Sequence, residues 1–173
     1  LSKIPEDIAK KANIIMVGYP NNPTGAIATL EFYKELIAFA KKYDIIVLLD
    51  NAYSEITFDG YVAPSIFDVP GAKDIALEFH SLSKTYNMTG WRVGFALEKE
   101  KIIKALGNVK TNIDSGVFKA NQKAAVAAFN TPKEVHEKNL QIIKERRDVA
   151  VKGLRELGWE IKDPIQGTFY LWL

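Results

Sequence analysis

The sequence predicts an α/β fold, with helices on both faces of a mostly parallel sheet to give three layers, followed by the start of a small α+β domain. Short apolar segments typical of buried strands alternate along the 173-residue chain with amphipathic segments typical of helices. Polar side chains follow three of the apolar segments directly, and parallel sheets of this kind bind ligands at that edge.

Four segments predict strands in the first part of the chain. Residues 13–18 are a short apolar run that ends in turn-forming residues, and residues 45–49 are apolar at every position. The second pattern is typical of a strand that is buried on both faces of a sheet. We expect two more strands at residues 75–79 and 91–97, with a turn at residues 57–61.

Three segments of ordinary length predict helices. Over residues 29–43, apolar side chains recur three and four positions apart and therefore form one buried face. We expect two further helices at residues 99–108 and 115–129. Since these helices alternate with the strands, they would cover the faces of the sheet.

A much longer helix is predicted over residues 131–157. Thr131 is a suitable cap, Pro132 suits the first turn, and Glu134 would complete a capping box. Gly158 is typical of the position just beyond a helix end. A helix of this length spans about 40 Å, so we expect it to bridge two domains.

The predicted elements divide the chain into three parts. Residues 1–130 would be the C-terminal part of a large domain, and residues 131–157 the interdomain helix. Residues 158–173 would begin a small domain, with strands at residues 159–161 and 168–173. The chain lacks an initiator Met and stops within an apolar run, so we expect a fragment of a longer protein.

Composition argues against several classes of function. Lys and Arg total 23 against 21 for Asp and Glu, and a net charge of +2 does not indicate a nucleic-acid-binding protein. The chain has no cysteine, which excludes disulfides and thiolate chemistry, and only two histidines, so we expect no metal site. No apolar run approaches the roughly 20 residues that cross a bilayer. We therefore expect a cytoplasmic protein that binds no membrane.

Polar side chains follow three predicted strands at the point where each strand ends. The carboxyl ends of parallel strands meet at one edge of a sheet, so we expect these side chains to lie close together. They are Asn21, Asn22 and Thr24 after the first strand, Asp50 and Tyr53 after the second, and Ser81 and Lys84 after the third. This clustering predicts a functional site.

Each charged candidate has two interpretations. Asp50 either caps the following turn through backbone N–H groups or faces a cationic atom of a ligand, since a carboxylate at the mouth of a buried strand needs a partner. Lys84 is either solvated or partly desolvated, and desolvation would make its amine a nucleophile towards carbonyl groups. Arg92 either pairs with an acidic side chain or binds a phosphate.

Two other patterns at the same place do not predict chemistry. Ser81 and Lys84 match the Ser-x-x-Lys pattern of serine β-lactamases, but the Ser-Asp-Asn and Lys-Thr-Gly motifs of that family do not occur. His80 precedes Ser81, and neighbouring strand residues point to opposite faces. We therefore expect His80 to be a packed or capping residue and not a partner of a nucleophile.

Four short blocks lie after predicted strands or at the start of one. They are Asn21-Asn22-Pro23-Thr24-Gly25, Asp50-Asn51-Ala52-Tyr53, Ser81-Leu82-Ser83-Lys84 and Trp91-Arg92-Val93-Gly94. In this order the chain resembles the pyridoxal-phosphate-dependent aminotransferases of fold type I, class I/II. Residues 84–92 and 112–118 most resemble LL-diaminopimelate aminotransferases, with aspartate aminotransferase-like enzymes as the near alternative.

The resemblance implies catalytic roles for Lys84, Asp50 and Tyr53. Lys84 would form the Schiff base with pyridoxal 5'-phosphate and later move a proton at the substrate α-carbon. Asp50 would keep the pyridine nitrogen protonated, so that the ring can accept electrons. Tyr53 and Asn22 would hydrogen-bond the 3'-oxygen of the cofactor.

The resemblance also implies a phosphate site and a dimer. Ser81 and Arg92 would bind the cofactor phosphate through charge-assisted hydrogen bonds. In this family, segments outside the present sequence supply a helix for the phosphate, an aromatic residue on the ring and an arginine for the substrate carboxylate. The parent protein would therefore be a homodimer that acts on an amino acid and a 2-oxo acid, and the fragment would be inactive.

Two alternatives share the same four blocks. Some transcription regulators carry an aminotransferase-like domain that senses a ligand, and their DNA-binding domain would lie upstream of this sequence. Pyridoxal-phosphate lyases and synthases of the same fold also carry these blocks. The sequence does not name the amino donor.

Overall fold

The computed structural model describes residues 1–98, 100–161 and 165–173 and contains a four-stranded sheet in the order β1-β2-β3-β4. The first three strands are parallel, and β4 runs antiparallel to β3. The predicted α/β class and mostly parallel sheet are confirmed. The strands are β1 (Ile14–Gly18), β2 (Ile46–Asp50), β3 (Ala76–Ser81) and β4 (Gly94–Leu97).

Six α-helices occur in the described part of the chain. They are α1 (Glu6–Ala9), α2 (Leu30–Tyr43), α3 (Leu82–Thr85), α4 (Glu100–Ile113), α5 (Lys119–Phe129) and α6 (Lys133–Glu156). Short 3-10 turns occur at Ile66–Asp68, Ala72–Asp74 and Thr89–Trp91. Lys99, the predicted first residue of the helix that corresponds to α4, lies outside the described residues.

Helix α2 shows how local sequence builds the core. Its first turn is capped by the Thr29 hydroxyl, which accepts a hydrogen bond from the backbone N–H of Phe32, and the left-handed Asp44 ends it. Its buried face packs into the main core cluster together with Val47 and Leu49 of β2. The residues of that face are Tyr33, Leu36, Ile37 and Ala40.

The long helix is confirmed, but its predicted capping box is wrong. Helix α6 begins at Lys133, and no side chain caps its N-terminus. The backbone N–H of Thr131 donates to the carbonyl of Ala128, so Thr131 closes the end of α5. This leaves Thr131 two residues before the first helical residue, and the extended Pro132 occupies the cap position.

The predicted strands at residues 159–161 and 168–173 do not form in the described part of the chain. Only a single antiparallel bridge occurs there, between Thr57 and Gly167. Next to this bridge, the backbone N–H of Phe58 donates to the carbonyl of Gln166, and the backbone N–H of Thr168 donates to the carbonyl of Ile56. Among the described residues no strand lies beside these two segments, so their aromatic and β-branched residues have no ladder to join and remain irregular.

The fourth strand begins three residues later than predicted. Residues 89–91 form a 3-10 turn, and Arg92 has a left-handed backbone with φ of 54°. Gly94 is the first strand residue, and a Cβ at this position would lie 2.7 Å from the carbonyl oxygen of His80. Glycine therefore permits the close approach of β4 to β3.

The sheet register brings three strand ends together. Gly18 lies opposite Asp50, and Asp50 lies opposite Phe79. The ladder continues past the strand ends, because Tyr19 donates to the Asp50 carbonyl at 3.2 Å and Asn51 donates to the Phe79 carbonyl at 2.9 Å. The segments that follow β1, β2 and β3 are thus fixed beside one another.

None of the helices in residues 1–98, 100–161 and 165–173 is both long and apolar enough to span a membrane.

We expect Leu36→Ala to lower the free energy of unfolding by about 2–5 kcal/mol, because Leu36 is fully buried in the main core cluster and truncation leaves a cavity. Urea denaturation of the full-length protein measures this loss. Glu35→Ala is the matched control on the same helix, and its exposed side chain predicts a change within about 0.5 kcal/mol. Equal losses for the two variants would contradict the assignment of the α2 core face.

Candidate active site

Tyr53 is the centre of a polar cluster at the end of β2. Its phenol is buried and lies 3.0 Å from the hydroxyl of Tyr170, and it accepts a hydrogen bond from the side chain of Asn22. Burial, followed by Tyr170 and the charge of Asp50, raises the pKa of Tyr53, and the Asn22 bond opposes this only in part. Tyr53 therefore stays protonated at neutral pH and can act as a hydrogen-bond donor.

Lys84 lies against the aromatic side of this cluster. Its Nζ atom is 5.5 Å from the centroid of the Tyr53 ring and 5.6 Å from that of Phe169. The half-buried ammonium makes no hydrogen bond or ion pair with any residue that the structure describes. A cleft of about 480 Å³ opens beside it and is also lined by Asn87 and Tyr170. The amine is thus held by ring contacts and faces open space.

Asp50 combines features of both predicted interpretations. Its Oδ1 atom accepts a hydrogen bond from the backbone N–H of Ala52 at 3.2 Å, which is the turn-capping interaction. Its side chain is nevertheless exposed at the strand end and close enough to raise the pKa of Tyr53. One carboxylate oxygen is therefore available to a ligand on the same side as the Tyr53 phenol.

Ser81 is the last residue of β3, and Arg92 lies two residues before β4 begins. Ser81 lies opposite Gly94, and its hydroxyl accepts a hydrogen bond from the backbone of Ser83 at 3.2 Å. The exposed Arg92 donates to the Thr89 carbonyl at 3.0 Å and makes no ion pair with a described residue. Ser81 also lines a second cavity of about 440 Å³, which lies apart from the cleft beside Lys84.

Asn21 and Thr24 use their polar groups within their own loop. Asn21 donates to the Gly18 carbonyl at 3.1 Å and accepts from the Thr24 hydroxyl at 2.7 Å. These two residues therefore shape the loop that presents Asn22. Of the predicted edge residues, the structure brings Asn22, Asp50, Tyr53 and Lys84 into one cluster.

The expectation that His80 is packed is confirmed. Its ring stacks on Phe95 with centroids 5.0 Å apart and an interplanar angle of 14°. Its Nε2 atom lies 2.7 Å from Oε1 of Glu78. Both contacts hold His80 away from Ser81 as a catalytic partner.

Glu78 is a buried carboxylate that sequence reasoning missed. Its side chain is 2% exposed, and burial alone would raise its pKa. Hydrogen bonds outweigh burial and hold the pKa of Glu78 below its usual value. The four donors are His80, Asn51, Ser65 and the backbone N–H of Ile66. The available signal was a single acidic residue within an otherwise apolar predicted strand.

Tyr170 and Phe169 were also missed as site residues. Both rings contact Tyr53, with centroids 5.8 Å and 5.4 Å away respectively. The sequence predicts a strand over residues 168–173, and the resemblance to the family extends to residues 167–170, but neither assigns these rings to the site. The contact joins residues more than 100 positions apart, and no local pattern in the sequence predicts such a pairing.

The chain matches one protein-family model and is similar in sequence to curated proteins. A family model described as "Aminotransferase class I and II" matches residues 1–173. Among curated relatives, the LL-diaminopimelate aminotransferase 2 of Trichormus variabilis is 56% identical over 173 residues, and the LL-diaminopimelate aminotransferase of Aquifex aeolicus is 54% identical. Each match covers all of this chain and 44% of the relative, so the chain spans less than half the length of these relatives.

Solved structures with the same fold include two close matches. Apo-BacF from Bacillus subtilis is 40% identical with a TM-score of 0.90, covering 98% of this chain and 45% of its own. A probable N-succinyldiaminopimelate aminotransferase from Thermus thermophilus is 35% identical with a TM-score of 0.91, covering 99% of this chain and 46% of its own. The arrangement of strands and helices is therefore one that these longer proteins share.

The low pKa of Glu78 predicts a specific dependence of stability on pH. A carboxyl group whose pKa is lower in the folded state contributes stability above its unfolded pKa, near 4.5, and loses it as pH falls through the folded value. The difference in unfolding free energy between wild type and Glu78→Gln should therefore shrink between about pH 5 and pH 3.

Urea denaturation of the full-length protein at a series of pH values measures this difference. Glu35→Gln replaces an exposed carboxylate on α2 and serves as the control, with a small difference at every pH. A difference for Glu78→Gln that stays constant down to about pH 3 would show that folding does not lower the pKa of Glu78.

Proposed function

Because this chain belongs to the family of class I and II aminotransferases, we propose that the whole protein transfers the amino group of LL-diaminopimelate to 2-oxoglutarate. The observation that carries the proposal is the cluster at the sheet edge. The Lys84 amine, which pairs with no described residue, lies 5.5 Å from the centroid of the Tyr53 ring, and the exposed carboxylate of Asp50 lies close to the same phenol. An amine, a phenol and a carboxylate so arranged suit chemistry on a carbonyl compound.

The side chains present fit pyridoxal phosphate, the cofactor on which this family depends. Lys84 offers an amine for the aldehyde, and Asp50 a carboxylate for the pyridine nitrogen. Tyr53 and Asn22 offer hydrogen-bond donors for the 3'-oxygen, since the phenol stays protonated at neutral pH. When bound, the pyridine ring supplies an electron sink for negative charge at the substrate α-carbon.

We assign binding of the cofactor phosphate to Ser81 and Arg92. The Ser81 hydroxyl donates a hydrogen bond to the phosphate in this proposal, and the Arg92 guanidinium adds a charge-assisted contact. Arg92 engages only a backbone carbonyl here, so its charge is not neutralised by an acidic residue among the described ones. Such anchoring at one end of the cofactor orients its reactive end.

Lys84 moves the proton in the proposed reaction. With pyridoxal phosphate bound, Lys84 would hold the aldehyde end of the cofactor, and its amine, when free, would move a proton at the substrate α-carbon. The rings of Tyr53 and Phe169 limit the positions that the amine can reach. Asp50 would hold the protonated ring nitrogen of the cofactor, and Tyr170 orients the Tyr53 hydroxyl through their 3.0 Å contact.

The names of the relatives support the choice of substrate. The proteins of Trichormus variabilis and Aquifex aeolicus are called LL-diaminopimelate aminotransferases, and identities of 54–56% extend over this whole chain. These names favour transamination over the lyase, synthase and ligand-sensing alternatives. Aspartate remains the alternative donor, since an aspartate aminotransferase from Thermotoga maritima is 29% identical with a TM-score of 0.82.

The division of the chain also belongs to this proposal. Residues 1–130 would complete a large cofactor-binding domain, residues 131–157 would connect it to a small domain, and residues 158–173 would begin that domain. The rest of the pocket would come from the remainder of the protein and from the second subunit of a homodimer. The cytoplasmic location stays a prediction.

With 2-oxoglutarate as acceptor, the full-length protein loaded with pyridoxal phosphate should convert LL-diaminopimelate to products faster than it converts aspartate. Lys84→Ala should lose the visible absorbance band of the bound cofactor and at least about 1000-fold in kcat, because no other described residue offers an amine beside Tyr53. Amino-donor assays and absorbance spectra measure the two effects.

Lys73→Ala provides the matched control, since Lys73 is an exposed lysine far from the sheet edge and its loss should leave both readouts unchanged. An absorbance band that survives in Lys84→Ala would show that another lysine holds the cofactor. Turnover of aspartate in preference to LL-diaminopimelate would overturn the substrate but not the family.

Asp50→Asn separates the two interpretations of the Asp50 carboxylate. Asparagine keeps an oxygen that can accept from the Ala52 N–H, so the turn cap survives, but it cannot hold a protonated ring nitrogen. We expect cofactor binding to persist and kcat to fall by about 100-fold or more. Steady-state kinetics at saturating cofactor measure this, and unchanged turnover would leave only the turn-capping role.

A further inference from the structure

We infer that Glu78 is a positioning residue for the proposed active site, an inference that rests on the proposed function. Its buried carboxylate binds Asn51, which follows Asp50, and His80, which precedes Ser81. By fixing these two neighbours, it holds the ends of β2 and β3 in the arrangement that presents the cofactor-facing residues.

Stability alone does not explain a carboxylate at this position. The preceding strand residues, Ala76 and Leu77, are apolar and buried, and an apolar residue at position 78 would avoid the cost of burying a charge. A buried ionised group is tolerated only when its hydrogen-bonding capacity is satisfied. Glu78 meets this requirement with two donors on each carboxylate oxygen, at 2.7–3.0 Å.

The link to Asp50 runs through Asn51. The Asn51 side chain donates to Oε1 of Glu78 at 3.0 Å, and its backbone N–H donates to the Phe79 carbonyl at 2.9 Å. Asn51 is 2% exposed and is therefore fixed at two points of β3. Asp50 directly precedes Asn51, so these two contacts also restrain the backbone of Asp50, from which the carboxylate projects.

The link to Ser81 runs through His80. The imidazole is held between Oε1 of Glu78 at 2.7 Å and the stacked ring of Phe95. The following residue, Ser81, caps the short helix that carries Lys84. A displaced His80 ring would therefore shift the start of that helix and, with it, the amine at position 84.

The other carboxylate oxygen anchors Glu78 to a distant segment. The Ser65 hydroxyl and the Ile66 backbone N–H bind Oε2 at 2.7 Å and 2.9 Å, at the start of the 3-10 turn over Ile66–Asp68. No hydrogen bond among the described residues joins either donor to a residue of the proposed site. Loss of the Ser65 hydroxyl therefore perturbs the same carboxylate without releasing Asn51 or His80.

Glutamine can replace Glu78 without gross loss of the fold. The Oδ1 atom of Asn51 is buried and has no partner among the described residues. If the Asn51 amide turns over, this oxygen can accept from the amide N–H₂ group that Glu78→Gln introduces, while the remaining oxygen of that side chain still accepts from Ile66. The substitution therefore removes the charge and the oxygen that accepts from His80, and it reverses the direction of the hydrogen bond to Asn51.

The test compares Glu78→Gln with Ser65→Ala in the full-length protein. For Glu78→Gln we expect kcat to fall about 10- to 100-fold at saturating cofactor and substrates, since a displacement near 1 Å has effects of this size. In the cofactor-free protein, amide hydrogen exchange at residues 50–53 and 80–85 should accelerate about 10-fold. Ser65→Ala should change neither readout by more than about twofold, although both variants lower Tm.

If Glu78 has a purely structural role, Glu78→Gln lowers Tm but leaves kcat and local amide exchange within about twofold of wild type. That result would overturn the inference. If Glu78→Gln does not fold, Asn51→Ala replaces it, because this change removes the link to β2 and leaves Glu78 three donors. Unchanged kcat and exchange in Asn51→Ala would equally contradict the role.

Failure of the wild type to transaminate refutes the proposed function instead, and the exchange data still decide whether Glu78 orders this edge.

Discussion

The parallel register of β1, β2 and β3 is the constraint on which the site depends. Gly18, Asp50 and Phe79 lie side by side, so the loop after β1, the turn after β2 and the helix after β3 emerge at one edge. A shift of one residue in this ladder would send Asp50 to the other face of the sheet. The cluster around Tyr53 exists because that shift does not occur.

The same edge is held by polar contacts that lie beneath it. Lys84 faces an open cleft, and the buried hydrogen bond between Asn51 and Glu78 fixes the backbone beneath this edge. Tyr170 contributes from the far end of the chain by reaching the Tyr53 hydroxyl, and Glu78 contributes from within β3. Burying polar groups costs free energy, and these buried polar groups lie at the part of the sheet where chemistry is proposed.

The sequence predicted the elements that local patterns control. Apolar runs located all four strands of the sheet, helical spacing located α2, and the polar residues after the strands pointed to Asn22, Asp50, Tyr53 and Lys84. The Thr131 cap failed because Thr131 closes α5, and residues 168–173 failed as a strand because none of the described strands lies beside them. The contacts of Glu78 and Tyr170 join distant segments, which only the folded chain brings together.

The central claim is that the Lys84 amine and the Asp50 carboxylate face one bound pyridine ring. A crystal structure of the full-length protein with pyridoxal phosphate tests it most directly. We expect continuous density from the Lys84 side chain to the cofactor, with an Asp50 oxygen within hydrogen-bond distance of the ring nitrogen. A cofactor bound to another lysine, or a ring nitrogen turned away from Asp50, would contradict it.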